Sequence, residues 1–211
     1  MIPLQYTLAY LSYYHLFILF VPIYLYSFLT LRMVLNAQTK GFFSAAATVQ
    51  WAVMLTVFNI SHIVYLINLD PKATSHGGPV GLVLYLLILT QLNDVLQYIF
   101  GKFFGRHSIV PQISPNKTWE GFIGGFFSTI LLSVCIAGYL TPMNPIQSIL
   151  FGAMIAVGGF FGDITISSIK RDLKIKDTGT LLPGHGGILD RIDSLIFTSP
   201  IFFHSFYYFC L

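Results

Sequence analysis

Charge is what this chain has least of. Asp, Glu, Lys and Arg make up 9% of its 211 residues while 55% are hydrophobic, against about a quarter charged in soluble domains. That scarcity excludes a water-soluble globule, whose surface could not be covered with so few ions. The net charge is only +3, and the basic residues sit in short stretches instead of an aromatic-interleaved groove, which argues against nucleic-acid binding. The two cysteines, Cys135 and Cys210, both fall in apolar runs, where a thiol behaves as a small hydrophobe, so neither a disulfide nor a metal role is expected. No basic segment precedes the first apolar run, which reads as a spanning helix that stays and not as a cleaved leader. There is also no internal repeat of the kind many transporters are built from.

What the chain does have is long apolar runs. Six spans are expected, at 8–31, 43–69, 80–100, 122–140, 146–169 and 192–211, the last interrupted by Pro200. This predicts an all-α integral membrane protein, a polytopic bundle of about six transmembrane helices with catalytic loops on the cytoplasmic side. Its parts would be amino-terminal membrane helices over 1–92 and a chemistry-bearing region over 93–211, in one continuous bundle. Polar residues of the early spans, His15, Asn59, Ser61 and His62, are expected to serve packing and interhelical hydrogen bonding. The loops after spans one, three and five carry Arg32, Lys40, Lys102, Arg106, Lys117, Lys170, Arg171, Lys174, Lys176 and Arg191, and the opposite loops carry Lys72 alone. By the positive-inside rule the first set is cytoplasmic and both termini face away; the expected location is the cell inner membrane or its equivalent.

The scarce charge is concentrated. Residues 163–193 hold five of the eight acidic and five of the eleven basic residues, a placement that solubility does not explain. On a helix Asp163, Ser167 and Lys170 fall within roughly 60° of one another, a stripe of carboxylate, hydroxyl and ammonium. Farther on come Lys176 and Asp177, the turn Pro183-Gly184-His185-Gly186-Gly187, and Asp190-Arg191-Ile192-Asp193. Glycines let main-chain N–H groups approach an anion, and Asp190 and Asp193 share a face if a helix starts there. Carboxylates beside a basic, glycine-rich loop point to Mg²⁺ and a nucleotide, since Mg²⁺ takes one or two carboxylates together with phosphate oxygens and water.

A second polar stretch precedes it. Asp94, with Asn93 and Gln97, lies inside the third span, where an unpaired carboxylate costs a few kcal/mol and is a functional candidate by default; its structural alternative is an ion pair with Lys102 or Arg106. After it, Lys102, Arg106, Ser114, Lys117 and Thr118 set cations and hydroxyls among glycines, a phosphate-binding composition that a cytoplasmic loop also shares.

Taken in order, Ser167-Ser168, Lys170-Arg171, Lys176-Asp177, Pro183, His185-Gly186-Gly187 and Asp190-Arg191-x-Asp193 resemble the signature of phosphatidate cytidylyltransferases, or CDP-diglyceride synthetases. So do Asp94-x-x-x-Tyr98, Gly101-Lys102-x-x-Gly105-Arg106 and Ser114-Pro115-x-Lys117-Thr118-x-Glu120-Gly121. The resemblance covers Asn93 onward and departs in Val95-Leu96-Gln97, where relatives often carry small residues. It implies a Mg²⁺-dependent membrane nucleotidyltransferase that joins CTP and phosphatidic acid into CDP-diacylglycerol and pyrophosphate. Carried over by position, Asp163 and Asp190 would be metal carboxylates, Ser167 and Lys170 their polar partners, and Asp193 an accessory ligand. Asp94, Lys102, Arg106, Ser114, Lys117, Thr118, Arg171, Lys176, Asp177, His185, Gly186, Gly187 and Arg191 would bind substrate. The expected partners are CTP, phosphatidic acid and the bilayer, with Mg²⁺ alone or with a monovalent cation, the chain acting singly or as a homodimer. The competing readings are a CTP-dependent transferase acting on another membrane lipid and, from a different class, a membrane transporter.

Overall fold

The computed structural model describes residues 2–37, 39–69, 77–179 and 187–210. The chain falls into two compact units, Met1–Leu69 and Asp70–Leu211.

In the first unit, α1 (Ile2–Tyr10) is followed by α2 (Tyr14–Leu35) and α3 (Phe42–Ile67). The single helix expected over 8–31 is therefore two. Ser12 turns the backbone through a left-handed conformation, φ 57°, which ends one helix and lets the next start at a new angle. Pro22 has no N–H to donate, and α2 widens there into a π-helical turn, Phe20–Leu25, which absorbs the missing bond. The polar side chains knit this unit together. Gln5 Nε2 donates to the Phe17 carbonyl at 3.3 Å and to Ser61 Oγ at 3.2 Å, and the Tyr65 hydroxyl donates to the Ser12 carbonyl at 2.9 Å.

The second unit consists of α4 (Gly78–Phe104), a two-stranded antiparallel hairpin of β1 (Ser108–Val110) and β2 (Ser114–Thr118), then α5 (Trp119–Leu140), α6 (Pro145–Asp172), the short α7 (Leu189–Ile192) and α8 (Leu195–Phe209). Helices α4 and α5 pack backbone to backbone. A Cβ on Gly125 would lie 2.4 Å from Gln97 Cγ, and one on Gly81 2.3 Å from the Leu140 carbonyl, so only glycine permits the approach. Gly162 of α6 does the same for the chain ahead of α8, where a Cβ would meet the Asp193 carbonyl at 2.6 Å. A capping box starts α6: Asn144 Oδ1 accepts from Gln147 N at 2.8 Å while Gln147 Oε1 accepts from Asn144 N at 3.0 Å, with Pro145 pre-set for the first turn.

Asn93 ties three helices at one level. Its amide donates to the Ala156 carbonyl of α6 at 3.4 Å, and its oxygen accepts from Thr129 of α5 at 3.1 Å. Its neighbour Asp94, about 100° further round the helix, is thereby turned elsewhere.

Five helices among the described residues are long and apolar enough to cross a membrane: α2, α3, α4, α5 and α6. The chain is an integral membrane protein of helical spans, as composition predicts. The expected sixth span is the 15-residue α8, roughly 22 Å long against a hydrocarbon core of about 30 Å.

Candidate active site

The polar stretch expected as a loop after α4 is the hairpin, and its anchoring decides where Lys117 points. Strand β2 runs straight into α5, because Thr118 is both its last residue and the N-cap whose hydroxyl accepts from Gly121 N at 3.2 Å. Glu120 closes the other side, accepting from Arg106 N at 3.0 Å and His107 N at 3.3 Å and pairing with the His107 ring at 2.7 Å. Arg171, at the end of α6, donates from Nε to the Ile113 carbonyl at 3.0 Å. Gly105 lets the strand settle against α4, since a Cβ there would stand 2.2 Å from the Gly101 carbonyl and 2.7 Å from Thr118 Oγ1.

So held, Lys117 reaches across to α6 and pairs with Asp163, the two side chains 19% and 22% exposed. The pair lies in a cleft of about 240 Å³ lined also by Asp94, Gln97, Tyr98, Ser114, Asn116, Thr118 and Phe122. Ser167, one turn beyond Asp163, donates to its Oδ1 at 3.2 Å. Buried polar atoms are normally satisfied, yet Asp94 Oδ1 and both amide atoms of Gln97 are buried with no hydrogen-bond partner. Asp193, whose Oδ1 accepts from Ser194 N at 2.8 Å, lies within electrostatic reach of Asp163 and Asp94.

The stripe expected on α6 divides. Ser167 serves Asp163, whereas Lys170 Nζ donates to Asp190 Oδ1 at 2.9 Å. The other oxygen of Asp190 accepts from Thr178 N at 2.8 Å, Thr178 Oγ1 at 3.0 Å and Gly187 N at 3.0 Å. Burial alone would push this carboxyl up; the Lys170 ammonium and the Thr178 and Gly187 donors outweigh it and hold the group well below the usual carboxylate range. Asp190 is thus a clamp that gathers both ends of the stretch between Thr178 and Gly187.

The other expected residues are spread around these two clusters. Lys102 and Arg106 line a second cavity of about 490 Å³ with Gly101, Gly105, Ser108 and Pro115, which shares Tyr98, Asn116 and Thr118 with the cleft. Arg171 holds the hairpin, and the Arg191 carbonyl accepts from Gln91 Nε2 at 3.4 Å. Lys176 and Asp177 are exposed and line neither cavity. His185 and Gly186 lie outside the described residues. Sequence reasoning passed over Asn116, which lines both cavities, Phe122, and Thr178 beneath Asp190; Asn116 at least was marked by its place between Ser114-Pro115 and Lys117-Thr118. One turn along α5 from Phe122, Phe126 lines an apolar groove of about 460 Å³ with Ala153, Met154, Val157, Gly158 and Phe161, and the two rings lie 6.1 Å apart.

Among the described residues no three His, Cys, Asp or Glu side chains form a metal cage. The cleft nonetheless fits a hard divalent cation of the Mg²⁺ kind, because Asp163 and the unpartnered Asp94 oxygen offer carboxylate to a site where water and phosphate oxygens can complete the shell.

Against known proteins, the model of the cytidylyltransferase family matches residues 1–209. The chain belongs to that family. The match takes in the amino-terminal helices as well, so the resemblance is not confined to Asn93 onward. This cytidylyltransferase-family chain is 46% identical over 209 residues to the uncharacterized protein YnbB of Escherichia coli (strain K12), covering 99% of this chain and 70% of that one. It is 43% identical over 121 residues to a phosphatidate cytidylyltransferase of Staphylococcus aureus (strain COL), covering 56% of this chain and 46% of that protein. It is also 45% identical over 125 residues to phosphatidate cytidylyltransferase 4, chloroplastic, of Arabidopsis thaliana, covering 58% and 32%. The alignment therefore spans less than half of either named enzyme.

Proposed function

We propose that this chain transfers the cytidylyl group of CTP to phosphatidic acid, giving CDP-diacylglycerol and pyrophosphate. The observation that carries the reading is the Lys117–Asp163 pair in a cleft that also holds Asp94. A phosphate monoester has a second pKa of about 6 and is already a dianionic nucleophile near neutral pH. Its oxygen attacks the α-phosphorus of CTP, the bond from that phosphorus to the α,β-bridging oxygen breaks, and the bridging oxygen leaves with pyrophosphate. No strong general base is required; the site must position two anions and neutralise them. Lys117 supplies a positive charge on the hairpin side of the cleft. Gln97 and Ser114 offer donors to phosphate oxygens there, and Asp94 faces the same space. Asp163, with Asp94 or Asp193, would hold Mg²⁺, and Asp190 would join by giving up donors it now has. When bound, the ion supplies charge neutralisation to the phosphates and the departing pyrophosphate. The acyl chains stay on the bilayer side, where Phe126, one turn of α5 from Phe122 of the cleft, lines the apolar groove.

The reading places the hairpin and the end of α6 at the cytoplasmic face, by the bias of basic residues toward these segments. Purified protein in detergent, given labelled CTP and a panel of lipid phosphates and lipid alcohols, should release pyrophosphate with phosphatidic acid at the highest rate. Faster turnover with a lipid alcohol, releasing pyrophosphate by cytidylyl transfer or CDP by phosphoryl transfer, would favour the other CTP-dependent transferase reading, and release of neither product with any lipid would refute both.

A further inference from the structure

Most of the cations near the cleft are committed to protein acceptors: Lys117 to Asp163, Lys170 to Asp190, and Arg171 to the Ile113 carbonyl. Two are not. Lys102, on the last turn of α4, and Arg106, just beyond it, line the second cavity, and among the described residues neither has a carboxylate within ion-pair distance. Glu120 accepts from the Arg106 main chain, but its oxygens serve that amide, the His107 amide and the His107 ring. The first amides of α5 are spent as well, Trp119 N on the His107 carbonyl at 3.0 Å and Gly121 N on Thr118. The positive character of this cavity therefore comes from its two side chains, and no acidic residue lines it. A second observation points the same way: Ser108 Oγ, in the same wall, is buried without a hydrogen-bond partner.

The cavity and the cleft share Tyr98, Asn116 and Thr118 in their linings but are opposite in balance, the cleft holding two carboxylates and one ammonium and the cavity only cations. A triphosphate laid across both would match that division. Its α-phosphorus belongs beside Lys117 and Asp163, and its terminal phosphates, which carry the most charge, belong with Lys102 and Arg106. We infer that this cavity takes the two terminal phosphates of the nucleoside triphosphate and, after transfer, holds the pyrophosphate product. The inference rests on the cytidylyl-transfer reading and deepens it, assigning the nucleotide tail to the hairpin side.

The test is binding of inorganic pyrophosphate with Mg²⁺ to the purified full chain in detergent, by calorimetry, alongside steady-state kinetics. Lys102→Gln, Arg106→Gln and Ser108→Ala are compared with Lys40→Gln, which removes one charge from the first unit. Loss of a hydrogen bond to a charged group weakens binding roughly tenfold or more. Each of the two charge variants should weaken pyrophosphate by about that factor and raise the KM for CTP in step, with the KM for phosphatidic acid unchanged; Ser108→Ala should weaken it less, and Lys40→Gln should not. Should a charge variant fail to fold, Ser108→Ala still reports. Pyrophosphate bound equally by wild type and the three cavity variants overturns the inference even if the enzyme turns over. A raised KM for phosphatidic acid with unchanged pyrophosphate binding also overturns it, and gives the cavity to the lipid phosphate. Weakened pyrophosphate binding in a protein that shows no cytidylyl transfer upholds the polyphosphate site and removes the proposed reaction instead.

Discussion

Replacing Asp190 by Asn separates two roles that a carboxylate here could play. In the structure its Oδ1 faces the Lys170 ammonium and its Oδ2 faces three donors from Thr178 and Gly187. An Asn can turn its one oxygen to the three donors, but its NH₂ then faces the Lys170 ammonium, donor against donor. Lys170 and Asp190 are only 14% and 9% exposed, so the unpaired ammonium is poorly solvated. Losing a charge-assisted bond costs about 1.5–3 kcal/mol and breaking a fully buried pair about 3–5; for this nearly buried pair about 2–4 kcal/mol is expected. For a chain of this size that corresponds to a fall in melting temperature of roughly 5–15 °C. The pH dependence has a definite sign. Because the folded carboxyl is held below its ordinary value, its contribution is fully present above the unfolded pKa of about 4 and declines as pH falls through that value toward the folded one. The gap between wild type and Asp190→Asn should therefore be constant from pH 8 to pH 5 and narrow below about pH 4. Thermal melts in detergent at several pH values, with Lys170→Met and the double variant, give the coupling energy, expected near 2 kcal/mol. A cycle that closes additively, or a melting temperature within about 2 °C of wild type at pH 7, would refute the clamp.

Asp163→Asn should reduce cytidylyl transfer at least a hundredfold while leaving the protein inserted and folded, and near-normal activity at saturating Mg²⁺ would remove Asp163 from the metal assignment. Asp94→Asn should lower activity per folded molecule without lowering the melting temperature, because a neutral amide is cheaper to keep where the Asp94 oxygen has no partner; a fall in melting temperature with specific activity preserved would make Asp94 structural. Gly105→Ala pushes a methyl into the Gly101 carbonyl and Thr118, so about 1–3 kcal/mol of stability should be lost together with affinity for CTP. Cysteines placed at Lys40 and Lys72 should label from opposite faces of the membrane, and labelling from one face would overturn the loop orientation.

The membrane class and the bodies of α3, α4, α5 and α6 were legible because an apolar run of about 20 residues has one physical use. The break at Ser12 was not, since no glycine or proline marks it and its left-handed turn is set by tertiary contacts. The hairpin escaped for a related reason: the three-residue β1 and the polar β2, Ser-Pro-Asn-Lys-Thr, show no alternation, and their pairing is stabilised by Glu120, Arg171 and the glycines of α4. In the site, helical spacing gave Ser167 as the partner of Asp163 but assigned Lys170 to the same cluster, because rotation about α6 cannot show what lies opposite. Asn93 and Asp94 make the point most directly. Adjacent in sequence and both polar, they form one polar stretch of the third span, and 100° of helix sends one to a helix junction and the other to the cleft.

The Lys117–Asp163 pair gives the cleft an internal counter-charge, and on the cytidylyl-transfer reading this sets how its ligands depend on one another. A phosphate that draws Lys117 to itself strands Asp163, and a cation that takes Asp163 strands Lys117; either arriving alone forfeits much of what it gains. Arriving together, each accepts the group the other has released, so the two should bind with positive cooperativity, each raising the affinity of the other by the same factor.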